Sequence, residues 1–343
     1  MQILGIKFVP LDTPIERRLQ TFACGVAYLT IIFGGVLGSL TLLYLIFFTH
    51  YWLVAIIYLI WIGVVDKNTC DQGGRRIEWV RRWKWWKYVV DYFPLNLELA
   101  SQFELDQKRN YLFCCFPHGI MPNGLFGAFN NYYGEFCNLF PNHTPHLLSL
   151  RTMFFWPFLR DLLLACGMCS VSAASLNYLL GTPEGGKVVG IIVGGAKEAL
   201  YAKPGHYTVV LKNRKGFVKI ALKNGAPLVP VYSFGETEIF NQINNPEGSL
   251  IRTIQDWIKS LTGVALAVPI GRGFFQYSFG LIPHRKPIYT IIGRPIELVK
   301  IPNPTQEQID EIHKEFVKQL VALFEEHKHK YLSHPEKSWL NIL

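Results

Sequence analysis

The sequence predicts an α/β domain that is held at a membrane by an N-terminal helical hairpin. Three observations support this fold class. Residues 22–65 carry no Asp, Glu, Lys or Arg, short β-branched runs such as residues 188–193 end at glycine, and stretches with helical spacing of apolar residues separate those runs. At 343 residues the chain is also long enough to bury a large core.

The composition favours lipid partners over nucleic acid. Half of the residues are hydrophobic, 17% are charged, and the formal net charge is +9. A basic surface rich in aromatic residues suits anionic lipid headgroups and phosphate-bearing substrates. The sequence has no zinc-finger spacing, basic zipper or RNA-recognition motif, so we expect no nucleic-acid partner.

The uncharged run is long enough to cross a membrane twice. As a helix, its 44 residues would extend about 66 Å, roughly twice the ~30 Å thickness of the hydrocarbon layer. The predicted turn lies at residues 48–52, and because the second arm, residues 53–65, is short, a re-entrant hairpin is an alternative to two full crossings. The alternative is a pair of buried core helices, which is disfavoured because so long an uncharged stretch is costly in a soluble protein.

Two flanking segments place this hairpin relative to the membrane. Residues 1–21 form a cytosolic segment of mixed charge, and residues 66–100 form an interfacial segment in which tryptophans alternate with arginines and lysines. Indole rings prefer headgroup depth, where the cations meet lipid phosphates. A platform for single-stranded nucleic acid has a similar composition, but the position directly after a hairpin favours lipid. Cationic residues at both outer ends place both ends in the cytosol.

Residues 101–343 are predicted to form the α/β domain, and its first strand, residues 111–115, leads to a Pro-His-Gly corner. His118 therefore lies at the carboxyl end of a strand, where open α/β sheets keep their sites. Histidine titrates near neutrality and can take a proton from an alcohol and return it later. We expect His118 to be the general base of an acyl transfer. The alternative is a structural histidine that caps the following segment.

A second strand, residues 188–193, ends in a pair of glycines. After a strand, Gly194 and Gly195 allow backbone amides to point into open space, where they can stabilise an oxyanion or a phosphate. Glu198 is the carboxylate nearest to this strand end, and we expect it to orient His118. The alternative for Glu198 is a solvated residue favoured by a helix dipole.

Cationic residues stand at two further corners. Lys212, Arg214 and Lys215 precede an amphipathic helix that ends at Gly225, and Arg272 is flanked by glycines. Both places suit phosphate groups. The alternatives are a solvated face for the cluster and a pinned turn for Arg272.

The remaining pattern predicts helices and strands around these corners. A long apolar helix is expected over residues 147–164, in which Arg160 and Asp161 need partners, with an ion pair as the favoured account. A helix is also expected near residues 251–261 and a strand near 264–270. Thr305 and Gln308 form the signature of a capping box that opens the last helix.

Several ordered blocks resemble the type-2 diacylglycerol acyltransferase family over residues 22 to 328. After the hairpin, the blocks are Tyr92-Phe93-Pro94, Pro117-His118-Gly119, Pro157-x-x-Arg160, Gly194-Gly195-Ala196-x-Glu198, Arg214-Lys215-Gly216-Phe217, Leu228-Val229-Pro230-Val231 and Gly271-Arg272-Gly273. Each block alone is weak, but their order together is specific. Part of the pattern also resembles the glycerol-phosphate acyltransferases, which implies a related α/β core.

The resemblance implies an acyl-CoA-dependent O-acyltransferase without a metal or prosthetic group. Acyl-CoA would be the donor and diacylglycerol the acceptor, with His118 as the base and amides near Gly119, Gly194 or Gly195 as oxyanion donors. The cationic residues named above would hold the phosphates of coenzyme A. The family implies the endoplasmic reticulum membrane, with the catalytic domain facing the cytosol and lipid droplets as a second location. A monoacylglycerol or long-chain alcohol acceptor is the alternative.

The chain departs from the family pattern at two positions. The family usually has His-Pro-His-Gly, but here the first histidine is replaced by Phe116. The His-x4-Asp pairing of related acyltransferases also fails, because the fifth residue after His118 is Asn123. These departures assign the base role to His118 alone, and they keep open a third possibility, an inactive membrane protein that binds lipid.

Overall fold

The computed structural model describes residues 2–343 and begins with a small strand pair followed by two apolar helices. Their bounds are Gln2–Ile3 (β1), Ile6–Lys7 (β2), Ile15–Phe48 (α1) and Trp52–Ile60 (α2), which continues as a π-helical turn over Trp61–Val65 and is followed by a 3₁₀ turn over Thr69–Asp71. The turn between α1 and α2 lies where the sequence predicted it. α1 begins at Ile15, however, seven residues before the uncharged run, because Glu16, Arg17 and Arg18 are part of its first turn.

Both apolar helices are long and apolar enough to cross a membrane. The two candidate segments are Ile15–Phe48 and Trp52–Asp71, and only 17% of each apolar window is buried inside the protein. Large apolar side chains such as Leu37, Phe47 and Val54 are exposed along them. Helices with this length and outward-facing apolar surface favour membrane association.

Two short helices that carry the tryptophans pack beside α1. They are Glu78–Arg81 (α3) and Lys84–Tyr92 (α4). Trp79 is 72% exposed, whereas Trp86 is buried against Phe126. The prediction that the tryptophans together form an interfacial belt is therefore wrong for Trp86, which belongs to the core.

The rest of the chain alternates between strands and helices. The bounds are Leu95–Leu99 (β3), Tyr111–Phe116 (β4), Asn123–Phe129 (α5), Phe136–Leu139 (α6), Thr144–Ser149 (β5), Leu159–Ala165 (α7), Cys169–Ser170 (β6), Ala173–Leu180 (α8), Lys187–Ile192 (β7), Ala196–Ala199 (α9), Thr208–Val209 (β8), Gly216–Asn224 (α10), Leu228–Phe234 (β9), Asn241–Gln242 (β10), Leu250–Thr262 (α11), Pro269–Ile270 (β11), Ile288–Ile292 (β12), Gln306–Tyr331 (α12) and Asn341–Ile342 (β13), with 3₁₀ turns over Arg151–Phe155 and Pro335–Lys337.

Seven of these strands form one mixed sheet in the order β3-β12-β9-β4-β7-β5-β6. β9, β4, β7, β5 and β6 run parallel to one another, and β12 joins β9 in the antiparallel direction. β4 and β7 are neighbours, with Cys115 opposite Ile192. The residues that follow these two strands therefore leave the sheet at the same edge, which brings the corner at His118 towards the glycines at 194 and 195.

The core lies on both faces of this sheet. Every residue of β4 and β9 is buried, and α12 covers one face with Phe316 and Phe324. The capping box of Thr305 and Gln308 is present at the start of α12, as the sequence predicted.

Two predicted elements differ from the structure. Residues 147–164 are not one helix, because Leu147–Ser149 end strand β5 and the helix α7 begins only at Leu159. A buried parallel strand is apolar on both faces, so its sequence resembles a segment of buried helix. In the region predicted as a strand over 264–270, only Pro269 and Ile270 pair with another strand.

The ion pairs expected for the charges of α7 are present. Arg160 bonds to Asp66, and Asp161 pairs with Arg75 at 2.6 Å. Asp66 and Arg75 follow α2, so these contacts attach the end of the hairpin to the α/β domain. The favoured account of Arg160 and Asp161 as a structural pair is confirmed.

Candidate active site

The imidazole of His118 is held by a neighbouring carbonyl group. His118 lies two residues beyond β4, and its Nδ1 is 3.0 Å from the backbone oxygen of Gly119. A carbonyl oxygen can only accept, so Nδ1 carries the proton and Nε2 keeps its lone pair. Burial lowers the pKa of His118 below 6.5, although the hydrogen bond to Gly119 opposes that shift. The ring is therefore neutral at pH 7 and can accept a proton at Nε2.

Glu198 lies beneath the same corner and is 1% exposed. Its Oε2 accepts a hydrogen bond from the backbone N–H of His118 at 2.9 Å, and its Oε1 accepts one from the backbone N–H of Val210 at 2.9 Å. Burial raises the pKa of Glu198 to about 8, and the two backbone hydrogen bonds partly oppose this rise. Glu198 thus fixes the main chain at His118. It does not orient the imidazole, as the sequence had suggested, because the carbonyl group of Gly119 does so.

The surroundings or the backbone conformation explain why glycine occupies each of the three positions at the corner. A methyl group on Gly194 would collide with the carboxylate of Glu198, and one on Gly119, whose φ is +61°, would lie 2.9 Å from Cγ of Glu236. Gly195 has a φ of +60° and faces open space. Within residues 2–343, the amides of these glycines donate no hydrogen bond to another protein group. Gly119 and Gly194 are buried, so their N–H groups are donors that the described part of the fold leaves unsatisfied.

Glu236 is a second buried carboxylate at the corner, and the sequence analysis missed its role. Its Oε1 accepts from the backbone N–H and from Nδ2 of Asn123, both at 2.9 Å, and its Oε2 accepts from the N–H of Gly124 at 2.8 Å. These bonds anchor the N-terminus of α5. Burial raises the pKa of Glu236 to about 7. The feature of the sequence that could have identified Glu236 is its position two residues after the buried strand β9.

Asn123 also connects this corner to the first apolar helix, α1. The hydroxyl group of Tyr28 in α1 donates to Oδ1 of Asn123 at 2.6 Å. Asn123 stands where related acyltransferases have the aspartate of the His-x4-Asp pair. In this protein it is engaged by Tyr28 and Glu236 and has no hydrogen bond to the ring of His118 within the described chain.

An apolar cavity of about 420 Å³ opens beside the same loop. Met121, Pro122 and Asn123, which follow His118 by three to five residues, form part of its wall. The other walls come from α1, α4, α5 and α7 and from the sheet. Cavities of roughly 300–1,000 Å³ with mostly apolar walls are typical of sites for small apolar ligands.

The family comparison covers most of the chain. The family model described as diacylglycerol acyltransferase matches residues 44–341. The chain belongs to the diacylglycerol acyltransferase family. Its activity is therefore that of an acyl-CoA-dependent O-acyltransferase.

Two curated relatives align with almost the whole acyltransferase. It is 45% identical over 328 residues to 2-acylglycerol O-acyltransferase 1 of Bos taurus, covering 96% of this chain and 97% of the relative. It is 43% identical over 323 residues to diacylglycerol O-acyltransferase 2 of Dictyostelium discoideum, covering 94% and 96%. Among solved structures, a 1-acyl-sn-glycerophosphate acyltransferase of Thermotoga maritima aligns with a TM-score of 0.40 at 13% identity, over 89% of this chain and 95% of that one.

Phe116, which replaces the first histidine of the family pattern, belongs to the core of the acyltransferase. Its side chain is fully buried, and its ring centroid lies 6.2 Å from that of Phe316 on α12. The side chain at this position therefore packs below the sheet edge. Because position 116 faces the core, the presence of phenylalanine instead of histidine there leaves the exposed part of the corner unchanged.

The four cations expected to bind phosphate do not form one site. Lys215 pairs with Asp310 of α12 at 2.7 Å, and the backbone of Lys212 bonds to Leu343. Arg214 follows Val210, whose backbone N–H donates to Glu198 at 2.9 Å, by four residues and is therefore near the His118 corner in the chain. Arg272 lines a separate cavity near the start of α1, to which none of the other three contributes. The cations expected to bind phosphate thus lie at two separate places in the fold, and their role in binding stays a prediction.

Proposed function

We propose that the acyltransferase transfers an acyl group from acyl-CoA to the free hydroxyl group of a partial acylglycerol, with His118 as the general base. The observation that carries this proposal is the half-buried ring of His118. Its Nδ1 is held by the carbonyl oxygen of Gly119, and its Nε2 retains a lone pair. A neutral imidazole held in this way is ready to accept a proton from an alcohol.

The reaction then has two balanced steps. Nε2 of His118 removes the hydroxyl proton as the acceptor oxygen forms a bond to the thioester carbon, which yields a tetrahedral oxyanion. The oxyanion collapses, the carbon–sulfur bond breaks, and the leaving thiolate of coenzyme A takes the proton back from His118. General base catalysis contributes about 10²- to 10⁴-fold and one oxyanion donor roughly 10²- to 10³-fold. The free amides of Gly119, Gly194 and Gly195 are the candidate donors.

The donor's phosphates have a candidate site near this corner. Lys212, Arg214 and Lys215 precede α10, and the charge of Arg214 acts on Glu198. These residues follow Val210, whose N–H donates to Glu198 of the same corner, by two to five positions in the chain. Lys215 is already paired with Asp310, so Lys212 and Arg214 would supply most of the attraction.

Diacylglycerol is our first candidate for the acceptor, and 2-monoacylglycerol is the second. The names of the two relatives divide between these acceptors, and the 45% identity to a 2-acylglycerol acyltransferase supports the second candidate. Both acceptors carry long acyl chains, which suit the apolar cavity beside Asn123. Cations on both sides of the hairpin support a catalytic domain that faces the cytosol. The endoplasmic reticulum membrane is proposed from the family alone.

The test is acyl transfer by the purified full-length protein. Labelled acyl-CoA is supplied with diacylglycerol, 2-monoacylglycerol or a long-chain alcohol, and the products are separated. We expect His118→Ala to lower the rate by at least about 10²-fold, the lower end of general base catalysis. The exposed His334 provides the matched control, since His334→Ala is expected to keep the wild-type rate.

Two results would contradict this proposal. Full activity of a folded His118→Ala protein would exclude His118 as the base. A wild-type protein that binds these lipids but transfers to none of the three acceptors would instead support a lipid-binding role without catalysis.

A further inference from the structure

A cavity of about 650 Å³ lies at the start of α1. None of the three corner glycines, Gly119, Gly194 and Gly195, lines it. One wall is the segment of residues 9–22, which leads into α1, and the other is the segment of residues 272–285. Arg17, Arg18, Arg272 and Arg285 line it, and Asp12 is its one acidic wall residue. The cavity thus carries a large positive excess.

None of these arginines is neutralised by the protein. Within residues 2–343, no carboxylate oxygen lies within 4 Å of any of the four guanidinium groups, although arginines elsewhere, such as Arg75 and Arg160, have such partners. Burial lowers the pKa of Arg285, and Arg17 and Arg272 lower it further while Tyr92 opposes the shift. Arg17 and Arg272 therefore lie close enough to Arg285 to repel its charge.

Neutral groups hold these cations in place. Arg272 is 5% exposed, and its guanidinium lies 4.2 Å from the ring centre of Tyr277. Arg285 lies 4.4 Å from the ring centre of Tyr92, and Arg18 donates to the backbone oxygen of Leu11 at 2.9 Å. Aromatic rings and carbonyl groups fix the positions of the guanidinium groups but do not cancel their charge. A buried cation without a counter-ion is costly, so an anionic ligand would stabilise this arrangement.

The cavity also lies where the membrane surface is expected. Its wall includes the first turns of α1, and the ring of Phe22 in α1 packs against Trp85 at 5.9 Å. Pro14 precedes α1 without a side-chain cap, so the free amides of the first turn add to the positive potential. The water-side end of a membrane helix lies at the depth of lipid phosphates.

We propose that this arginine cavity binds the phosphate group of an amphiphile, either coenzyme A in the donor or the headgroup of an anionic lipid. Guanidinium groups bind phosphate oxygens through paired, charge-assisted hydrogen bonds, which a set of four arginines can supply. Phe274 and Phe275 in the same wall suit the apolar part of such a ligand. Only the coenzyme A source rests on the proposed function.

The proposal is tested by calorimetric titration of the full-length protein in neutral detergent micelles. The probes are coenzyme A, dioctanoyl phosphatidic acid and, as the ligand without phosphate, dioctanoylglycerol. The variants are Arg272→Gln and Arg17→Gln, and the second is informative even if the first fails to fold, because Arg17 is exposed. Lys84→Gln removes an exposed cation of α4 outside the cavity and is the matched control.

We expect each arginine variant to weaken binding of at least one phosphate probe about tenfold or more, and Lys84→Gln to change it little. A loss for coenzyme A alone identifies the donor as the source, and a loss for phosphatidic acid alone identifies a lipid headgroup. Wild-type affinity of both arginine variants for both probes would overturn the proposal, as would an equal loss in Lys84→Gln. Binding requires no catalysis, so His118→Ala should bind like the wild type even if the proposed chemistry fails.

A second inference rests on α11, Leu250–Thr262, which turns its apolar face outward and its polar face towards the protein. Ile251, Ile254, Trp257 and Leu261 lie on one face of this helix, and all four are exposed, Trp257 by 63%. The opposite face carries Gln255, which is 3% exposed. A helix in a water-soluble domain normally has its apolar face inward.

The inward polar face is well bonded to the protein. Gln255 donates to the backbone oxygen of Leu266 at 2.9 Å and accepts from Nδ2 of Asn245 at 3.0 Å, and Arg252 lies 4.5 Å from the ring centre of Tyr201. These contacts fix the orientation of α11. Its outward apolar face is therefore a stable feature of the fold.

The geometry points to a lipid bilayer as the occupant of this face, with α11 lying in the plane of the membrane surface. Leu266, which accepts from Gln255 of α11, and Val268 and Phe275 further along the chain are exposed as well, and Phe275 lines the arginine cavity at the start of α1. A short segment with exposed apolar side chains thus leads from α11 to the cavity beside α1. A tryptophan at its centre is typical of helices that lie at the membrane interface.

Spin labels in vesicles of neutral lipid test this placement. Trp257→Cys carries one label, and Glu311→Cys on the exposed face of α12 is the water-facing control, both in a Cys137→Ser background because the other six native cysteines are buried. We expect the label at 257 to be accessible to oxygen and protected from a water-soluble nickel chelate, with the reverse at 311. Nickel access at 257 equal to that at 311 would overturn the inference. A short distance between labels of two copies would overturn it in favour of self-association.

Discussion

Replacing Glu198 with glutamine tests whether the buried carboxylate holds the catalytic corner. The two oxygens of Glu198 accept from two backbone N–H groups, of His118 and Val210. Glutamine has nearly the same shape but only one acceptor oxygen, so one of these N–H groups would face an NH₂ group. An unpaired buried donor costs about 1–3 kcal/mol. This energy corresponds to roughly a 5- to 150-fold change in an equilibrium or a rate.

We expect Glu198→Gln to lower kcat within that range while KM changes little, because the carboxylate positions the base and does not face the substrates. The assay is acyl transfer from labelled acyl-CoA, combined with thermal unfolding in the same detergent. Glu135→Gln is the control, since Glu135 also accepts from a backbone N–H, that of Leu97 at 2.7 Å, but lies on the surface. A Glu198→Gln protein with the kcat and the unfolding midpoint of the wild type would refute the reasoning.

Four further predictions concern the same corner. The rate should fall on the acid side only below pH 6.5, because burial lowers the pKa of His118, and a pH–rate profile with a midpoint above 6.5 would contradict this. Stability should fall as pH rises from about 4.5 to 7, because the unfolded carboxyl group of Glu236 ionises before the folded one; melting curves at several pH values should show a smaller fall in Glu236→Gln. Gly194→Ala should cost about 1–3 kcal/mol of stability by overpacking, whereas Gly216→Ala, where a methyl group meets open space, should not, and equal denaturant midpoints would argue against the collision. Phe116→His should lower the unfolding midpoint without raising kcat, since it buries a polar ring in the core, and a gain in acyl transfer would show that this position does reach the substrates.

The sequence was sufficient to predict the parts of the site that depend on local backbone structure. The strands that lead to His118 and to Gly194 are short β-branched or aromatic runs, one followed by the rigid Pro117 and the other by the flexible Gly194, so their carboxyl ends could be placed. Because adjacent parallel strands share one edge, the meeting of the two corners also followed. The capping box of the last helix was equally local.

The parts that could not be predicted depend on long-range side-chain contacts. Glu198 and Glu236 both follow buried strands, but only packing decides which N–H groups each one meets. The separation of Arg272 from Arg214 depends on the path of the chain between β9 and β12. The inverted polarity of α11 was missed because periodicity shows that a helix has two faces but not which one turns outward.

We expect the hydrogen bond from Tyr28 to Asn123 to make the candidate catalytic corner sensitive to bilayer geometry. Tyr28 belongs to α1, and a helix that spans a membrane tilts when its length does not match the thickness of the lipid layer. A tilt of α1 moves the hydroxyl group that holds Asn123, and with it the N-terminus of α5 and the carboxylate of Glu236. Lipid thickness would thus change the rate through one phenolic contact, and Tyr28→Phe should remove that dependence when the enzyme is assayed in bilayers of graded acyl-chain length.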